Sequence, residues 1–132
     1  MIAALCALGC TRAADPTGVI GGLRALASDR HAVLSLHDCA AVDQSRVVIC
    51  DAEISASELA ALRSALLLGP LGQTKAPGPP FGKSRCLDRA PAGAIALVTG
   101  FPWIARSHYR YLLVVVPEAG GHACVETEDG YG

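Results

Sequence analysis

Five consecutive apolar residues, Leu112, Leu113, Val114, Val115 and Val116, restrict this chain more than any other stretch. Successive side chains of a strand point to opposite faces of a sheet, so this run has no polar face to offer water. Such a strand belongs at the centre of a sheet. The stretch around it, residues 109–116, is rich in β-formers, as are residues 94–99 before it. Gly100-Phe101-Pro102-Trp103 makes the turn between these two strands. A final short strand is expected over residues 122–127, and Gly130-Tyr131-Gly132 reads as a frayed end.

The earlier part of the chain adds two helices and two strands. Asp15-Pro16-Thr17 is a helix start, since Asp15 or Thr17 can cap and Pro16 is tolerated in the first turn. Val19, Ile20, Leu23, Leu26 and Ala27 then keep helical spacing to about Ser28. Residues 31–37 alternate: Ala32, Leu34 and Leu36 share one face, and His31, Val33, Ser35 and His37 the other. Residues 38–45 are polar and turn-prone, and residues 46–51 read as the second strand of a hairpin. Ser55-x-x-Glu58 has the spacing of a capping box, in which each side chain satisfies the other residue's free amide. Leu59, Leu62 and Leu66 continue it as an amphipathic helix ending at Gly69-Pro70. Residues 69–93 lack periodicity and are rich in Pro and Gly, which marks a long loop suited to binding or held down by Cys86. The order αββαβββ implies an α+β fold: an antiparallel sheet of about five strands with two helices packed on one face.

At 132 residues the chain is one domain. Its composition, 52% hydrophobic and 17% charged, suits a compact globule with a core of Leu, Val and Ile, because only 5% is aromatic. The net charge of −1 is unevenly spread. Residues 75–110 hold six basic side chains (Lys75, Lys83, Arg85, Arg89, Arg106, Arg110) against Asp88, and Glu118, Glu126, Glu128 and Asp129 follow with no base. This is either a cationic surface for an anionic partner or a set of solvated charges balanced within the fold. A chain that is not basic overall and carries no recognised motif is not expected to bind nucleic acid.

The first eight residues, Met1-Ile2-Ala3-Ala4-Leu5-Cys6-Ala7-Leu8, are uncharged and apolar. They are far short of the roughly 20 residues that span a bilayer, and match the about 7–15 residues of an export signal's apolar region. Ala7-Leu8-Gly9-Cys10 resembles the lipobox of bacterial lipoproteins, where a small residue precedes the cysteine that receives lipid. The family prefers Leu where Ala7 stands, with a small residue after it, and here Leu8 follows; no Lys or Arg precedes Arg12. The resemblance implies residues 1–9 as an export signal, Cys10 as the lipidated residue, 10–16 as a tether and 17–132 as the folded domain. It implies a location in the bacterial cell envelope, anchored in the outer membrane and facing the periplasm, with membrane contact through the lipid only. Cleavage before Ala14 would instead give a soluble exported form, and a first segment packed in the core a cytoplasmic protein.

With Cys6 removed and Cys10 lipidated, Cys39, Cys50, Cys86 and Cys124 form an even set able to make two disulfides in three connectivities. The pairing Cys39 with Cys50 and Cys86 with Cys124 is expected, although Cys39 and Cys50 are not directly opposite in a simple hairpin. No metal or other cofactor is expected. There is no CxxC or HExxH, and His31 and His37 lie roughly 20 Å apart along an extended strand. His37, Asp38 and Cys39 alternate sides and so should not chelate together. Ser35 and His37 share a face about 6.6 Å apart, which allows a hydrolase built on Ser35, or on Cys39, with His37. No nucleophile elbow accompanies them, and no catalytic residue is assigned. The remaining signal is surface chemistry for contacts. Trp103, Arg106, His108 and Arg110 lie close in sequence with Phe101, Tyr109 and Tyr111, and Trp, Tyr and Arg are frequent interface anchors. The expected role is therefore non-catalytic binding of a protein partner or an envelope polymer.

Overall fold

The computed structural model describes residues 15–42, 45–71, 84–100 and 109–129. Helix α1 spans Pro16–Asp29, with Asp15 as cap accepting a hydrogen bond from the Thr17 amide at 3.1 Å. Val19, Leu23 and Ala27 form its buried stripe. The helix closes through the Ala32 amide on the Ala27 carbonyl (2.8 Å) and the His31 amide on the Ser28 carbonyl (2.9 Å). His31 between them is left-handed, with φ of 62°. It is therefore a helix terminator, not the strand residue expected. Ala32, Leu34 and Leu36 are buried and Val33 and Ser35 exposed, as the alternation requires, but strand β1 begins only at Leu36 (Leu36–Ala41). The polar stretch expected as turn from Asp38 thus continues the strand to Ala41.

Strand β2, Val47–Ser55, leads directly into helix α2, Ala56–Ala65. The capping box is formed: Ser55 Oγ accepts from the Glu58 amide at 3.2 Å, and Glu58 Oε1 accepts from the Ser55 amide at 3.0 Å. These hydrogen bonds hold the Glu58 carboxyl below its ordinary range. Helix α2 stops before the expected Gly69-Pro70. Leu67 takes the left-handed conformation, φ 53°, and the Leu68 amide returns to the Arg63 carbonyl at 3.0 Å. A left-handed residue between two buried leucines, Leu66 and Leu68, ends the helix without glycine.

The remaining elements are β3 (Gly69–Pro70), α3 (Arg85–Asp88), β4 (Ala94–Gly100), β5 (Tyr109–Pro117) and β6 (Gly120–Asp129). The strands form one antiparallel sheet in the order β1-β2-β6-β5-β4-β3. The fold class is α+β with six strands and three helices among the described residues, against the five and two expected. Both additions, β3 and α3, fall in residues 69–93. Periodicity cannot reveal elements of two and four residues.

Strand β5 lies inside the sheet and is covered on both faces. Leu112, Val114 and Val116 join Val19, Leu23, Leu59 and Leu62 in a core beneath α1 and α2. Leu113 and Val115 join Tyr111, Val98 and Cys86 in a second, smaller core beneath α3. Helices thus pack on both faces, not one. The two disulfides divide in the same way. Cys50 belongs to the larger core, and its bond to Cys39 spans 4.1 Å between Cα atoms. Cys86 belongs to the smaller core, and its bond to Cys124 spans 5.4 Å.

Two substitutions should move stability in opposite directions. Gly120 has φ of +86°, and a Cβ there would sit 2.7 Å from both the Ala56 amide nitrogen and the Ile54 carbonyl oxygen. Gly120→Ala is expected to cost about 3 kcal/mol, from left-handed strain plus backbone overlap. Leu67→Gly, at an exposed left-handed site, is expected to gain about 0.5–1 kcal/mol and raise the melting midpoint by roughly 2–5 °C. Denaturant and thermal unfolding with the disulfides intact check both.

Candidate functional site

The register of β1 on β2 runs Leu36 to Ala52 and His37 to Asp51, then resumes with Ala40 to Ile49. Asp38 and Cys39 together therefore face Cys50, a bulge of two residues against one. Asp38 takes the extra position with φ of 51°, a conformation its short polar side chain tolerates. The bulge corrects the simple-hairpin spacing and places Cys39 against Cys50. It also turns the Asp38 carboxylate onto the neighbouring ring, where His37 Nδ1 donates to Oδ2 at 3.0 Å. His37 and Asp38 therefore act on one side of the strand, contrary to the strict alternation expected.

Leu36 and Ala52 point into the larger core, so His37 and Asp51 emerge on the face that α3 partly covers. His37, Asp38 and Asp51 each present a donor atom, all within 4.8 Å of one another. The next strand completes the group, because β6 pairs His122 with Glu53 and Cys124 with Asp51. His122 Nδ1 lies 3.0 Å from Glu53 Oε1, and its Nε2 lies 3.3 Å from Asp51 Oδ1. Three adjacent strands thus bring two imidazoles and three carboxylates together. Asp51, between the two histidines, is 35% exposed, while the His122 side chain is 62% exposed. The Glu53 hydrogen bond, reinforced by the charges of Asp51 and Glu53, raises the His122 pKa above its ordinary value.

A second polar group on this face is sealed. Glu126 is 3% exposed. Its Oε1 accepts from Ser84 Oγ at 2.9 Å and from the Cys86 amide at 3.4 Å, and its Oε2 accepts from the Tyr111 hydroxyl at 2.8 Å. Ser84 Oγ in turn caps α3 by accepting from the Leu87 amide at 3.2 Å. Burial first, then the Glu126 charge and hydrogen bond, push the Tyr111 hydroxyl pKa far up. With both carboxylate oxygens occupied and no water access, this group fastens α3 to the sheet.

Of the residues expected to bind, Trp103, Arg106 and His108 lie outside the described residues, as do Cys10 and residues 72–83 of the long loop. Arg110 lies on β5, where the register shifts between Tyr109 and Tyr111. Ser35 is exposed ahead of β1, and among the described residues no hydrogen bond joins it to His37. Cys39 is bonded to Cys50 and so is no thiol nucleophile. Asp51, Glu53 and His122 were not singled out in the sequence. Asp51 and Glu53 alternate on one strand face, but only the β2–β6 register brings them to His122.

Comparison with protein-family models, curated proteins and solved structures gives no match. No helix among the described residues is long and apolar enough to cross a membrane.

An alkaline titration tests the sealed group. Because the folded pKa of Tyr111 is raised, its contribution to stability is complete below the unfolded value of about 10 and is lost as pH rises beyond it. Of the tyrosines at 109, 111 and 131, Tyr111 should ionise only as the domain unfolds, seen as a phenolate absorbance step coincident with loss of circular dichroism. A Tyr111 signal titrating within the folded state would contradict its burial against Glu126.

Proposed function

We propose that this chain is a small bacterial envelope lipoprotein, tethered through a lipid on Cys10 and held at the outer membrane facing the periplasm. It works as a non-catalytic binding module for a protein partner or an envelope polymer. The observation that carries this reading is the use of all four downstream cysteines in two bonds, one on each face of the sheet. Thiols in a reducing cytosol do not stay paired in this way, whereas exported domains rely on such bonds. The apolar run ending at Gly9-Cys10 supplies the matching leader. Binding is assigned to residues 69–93 and to the segment holding Trp103, Arg106, His108 and Arg110. Aromatic and arginine side chains concentrate there in a chain otherwise poor in aromatics.

Mass spectrometry of the chain expressed in a bacterial host reads the tether directly. The expected species lacks residues 1–9, carries acyl chains on Cys10 and has Cys39, Cys50, Cys86 and Cys124 oxidised. An intact Met1 with six free thiols would overturn the export reading. A photo-crosslinker at position 103 in the same cells should give a discrete adduct that is lost with Arg106→Ala. Its absence in correctly processed protein would remove the binding role and leave the localisation standing.

A further inference from the structure

We infer that His37, Asp51 and His122 bind one divalent transition ion of the zinc class, with Asp38 and Glu53 orienting the two imidazoles. The inference does not depend on the proposed envelope role. It starts from how the ring nitrogens are used. Glu53 Oε1 stands 3.0 Å from His122 Nδ1, and Asp38 Oδ2 stands 3.0 Å from His37 Nδ1. Carboxylates accept, so each Nδ1 carries a hydrogen, and Nε2 is the nitrogen that each ring has left to offer a metal ion. Fixing the tautomer of a ligating histidine through a carboxylate on its other nitrogen is the usual outer-shell arrangement of metal sites.

The second step concerns what Nε2 of His122 faces. It lies 3.3 Å from Asp51 Oδ1, a contact that a shared cation holds together, whether the proton of an imidazolium or a metal ion in the proton's place. In a tetrahedral zinc site with bonds of about 2.0 Å, neighbouring ligand atoms are roughly 3.3 Å apart. The Nε2–Oδ1 pair already has that separation. One ligand atom each of His37, Asp38 and Asp51 lies within 4.8 Å of the others, so Asp51 links the two histidines. The strand register of β1, β2 and β6 holds the three backbones side by side, with His37 and His122 exposed and Asp51 half-buried between them.

Donor chemistry selects the ion. Two imidazoles and one carboxylate suit zinc and its neighbours, whereas calcium and magnesium favour all-oxygen shells. The four downstream cysteines are bonded in pairs, which leaves no thiolate among them to compete for the ion. Three protein ligands on an open sheet face leave at least one position for water or for a donor from a partner.

Equilibrium dialysis of the disulfide-intact chain against zinc chloride, repeated with cobalt chloride and visible spectroscopy, tests the site. One ion per chain is expected, with cobalt bands of low coordination number and imidazole ligation. His37→Ala, Asp51→Asn and His122→Ala should each weaken binding by more than about tenfold, and Asp38→Asn and Glu53→Gln by about tenfold or more. His31→Asn, which keeps a residue tolerant of the left-handed turn, should leave affinity unchanged. Circular dichroism and intact disulfides establish that each variant is folded, and Asp51→Asn preserves side-chain volume should either alanine variant fail that check. The inference is overturned if the parent chain binds no zinc at millimolar concentration, or if calcium binds as tightly as zinc. It is equally overturned if the three ligand substitutions leave affinity where it was.

Discussion

The organisation of this protein follows from one strand that offers no side to water. Leu112, Val114 and Val116 on one face of β5 and Leu113 and Val115 on the other must all be covered. One face receives α1 and α2, elements of 14 and 10 residues. Among the described residues, the helical cover on the other face is α3, which has four. A single helical turn is not stable by itself, since helix nucleation is costly. It is fastened by the Cys86–Cys124 bond and by Glu126 receiving Ser84, the Cys86 amide and Tyr111. Closing a loop with a sequence separation of 38 contributes about 4 kcal/mol by the chain-entropy estimate, a large part of a small domain's net stability. The second face therefore depends on an oxidising environment far more than the first.

One inserted residue links the other disulfide to the histidine cluster. Without Asp38 as the extra position, β1 and β2 would pair residue for residue, and Cys39 would not stand across from Cys50. The same insertion directs the Asp38 carboxylate to His37. A bulge near the middle of β1 also interrupts the regular edge that this strand presents, which disfavours pairing with another chain. Because a one-residue slip in register exchanges the faces of a strand, the bond between Cys39 and Cys50 also secures which side His37 and Asp51 occupy.

Much of this framework was legible in the residues. The β5 run identified an interior strand, the Ser55–Glu58 spacing identified a capping box, and the four cysteines allowed the observed pairing as one of three connectivities. The misplacements share a cause. His31 and Leu67 are left-handed helix terminators without glycine, set by the packing that follows them. No intrinsic preference of leucine announces such a position. The bulge at Asp38 is equally silent, being decided by the fit of two cysteines across strands. The cluster of His37, Asp51, Glu53 and His122 draws on β1, β2 and β6, and its members are separated by as many as 85 residues. Local alternation places each on a face; only the pairing of distant strands places them side by side.

Two carboxylates on the same sheet face show how burial divides structural from chemical use. Glu126 is enclosed, and a buried carboxylate is tolerable only when its oxygens are fully engaged, which here they are. Its capacity is spent on holding α3. Asp51 stands one strand away at the open end of the face, touched by imidazole nitrogen on β6 and lying across from another on β1. Water screens it, so its ion pairs add little to folding. A carboxylate that contributes little to stability, yet lies between two imidazoles, is free to engage a ligand without loss to the fold. The oxidation that commits the cysteines to the framework leaves imidazole and carboxylate as the donors on this face, and the strand register gathers them where no helix among the described residues covers the sheet.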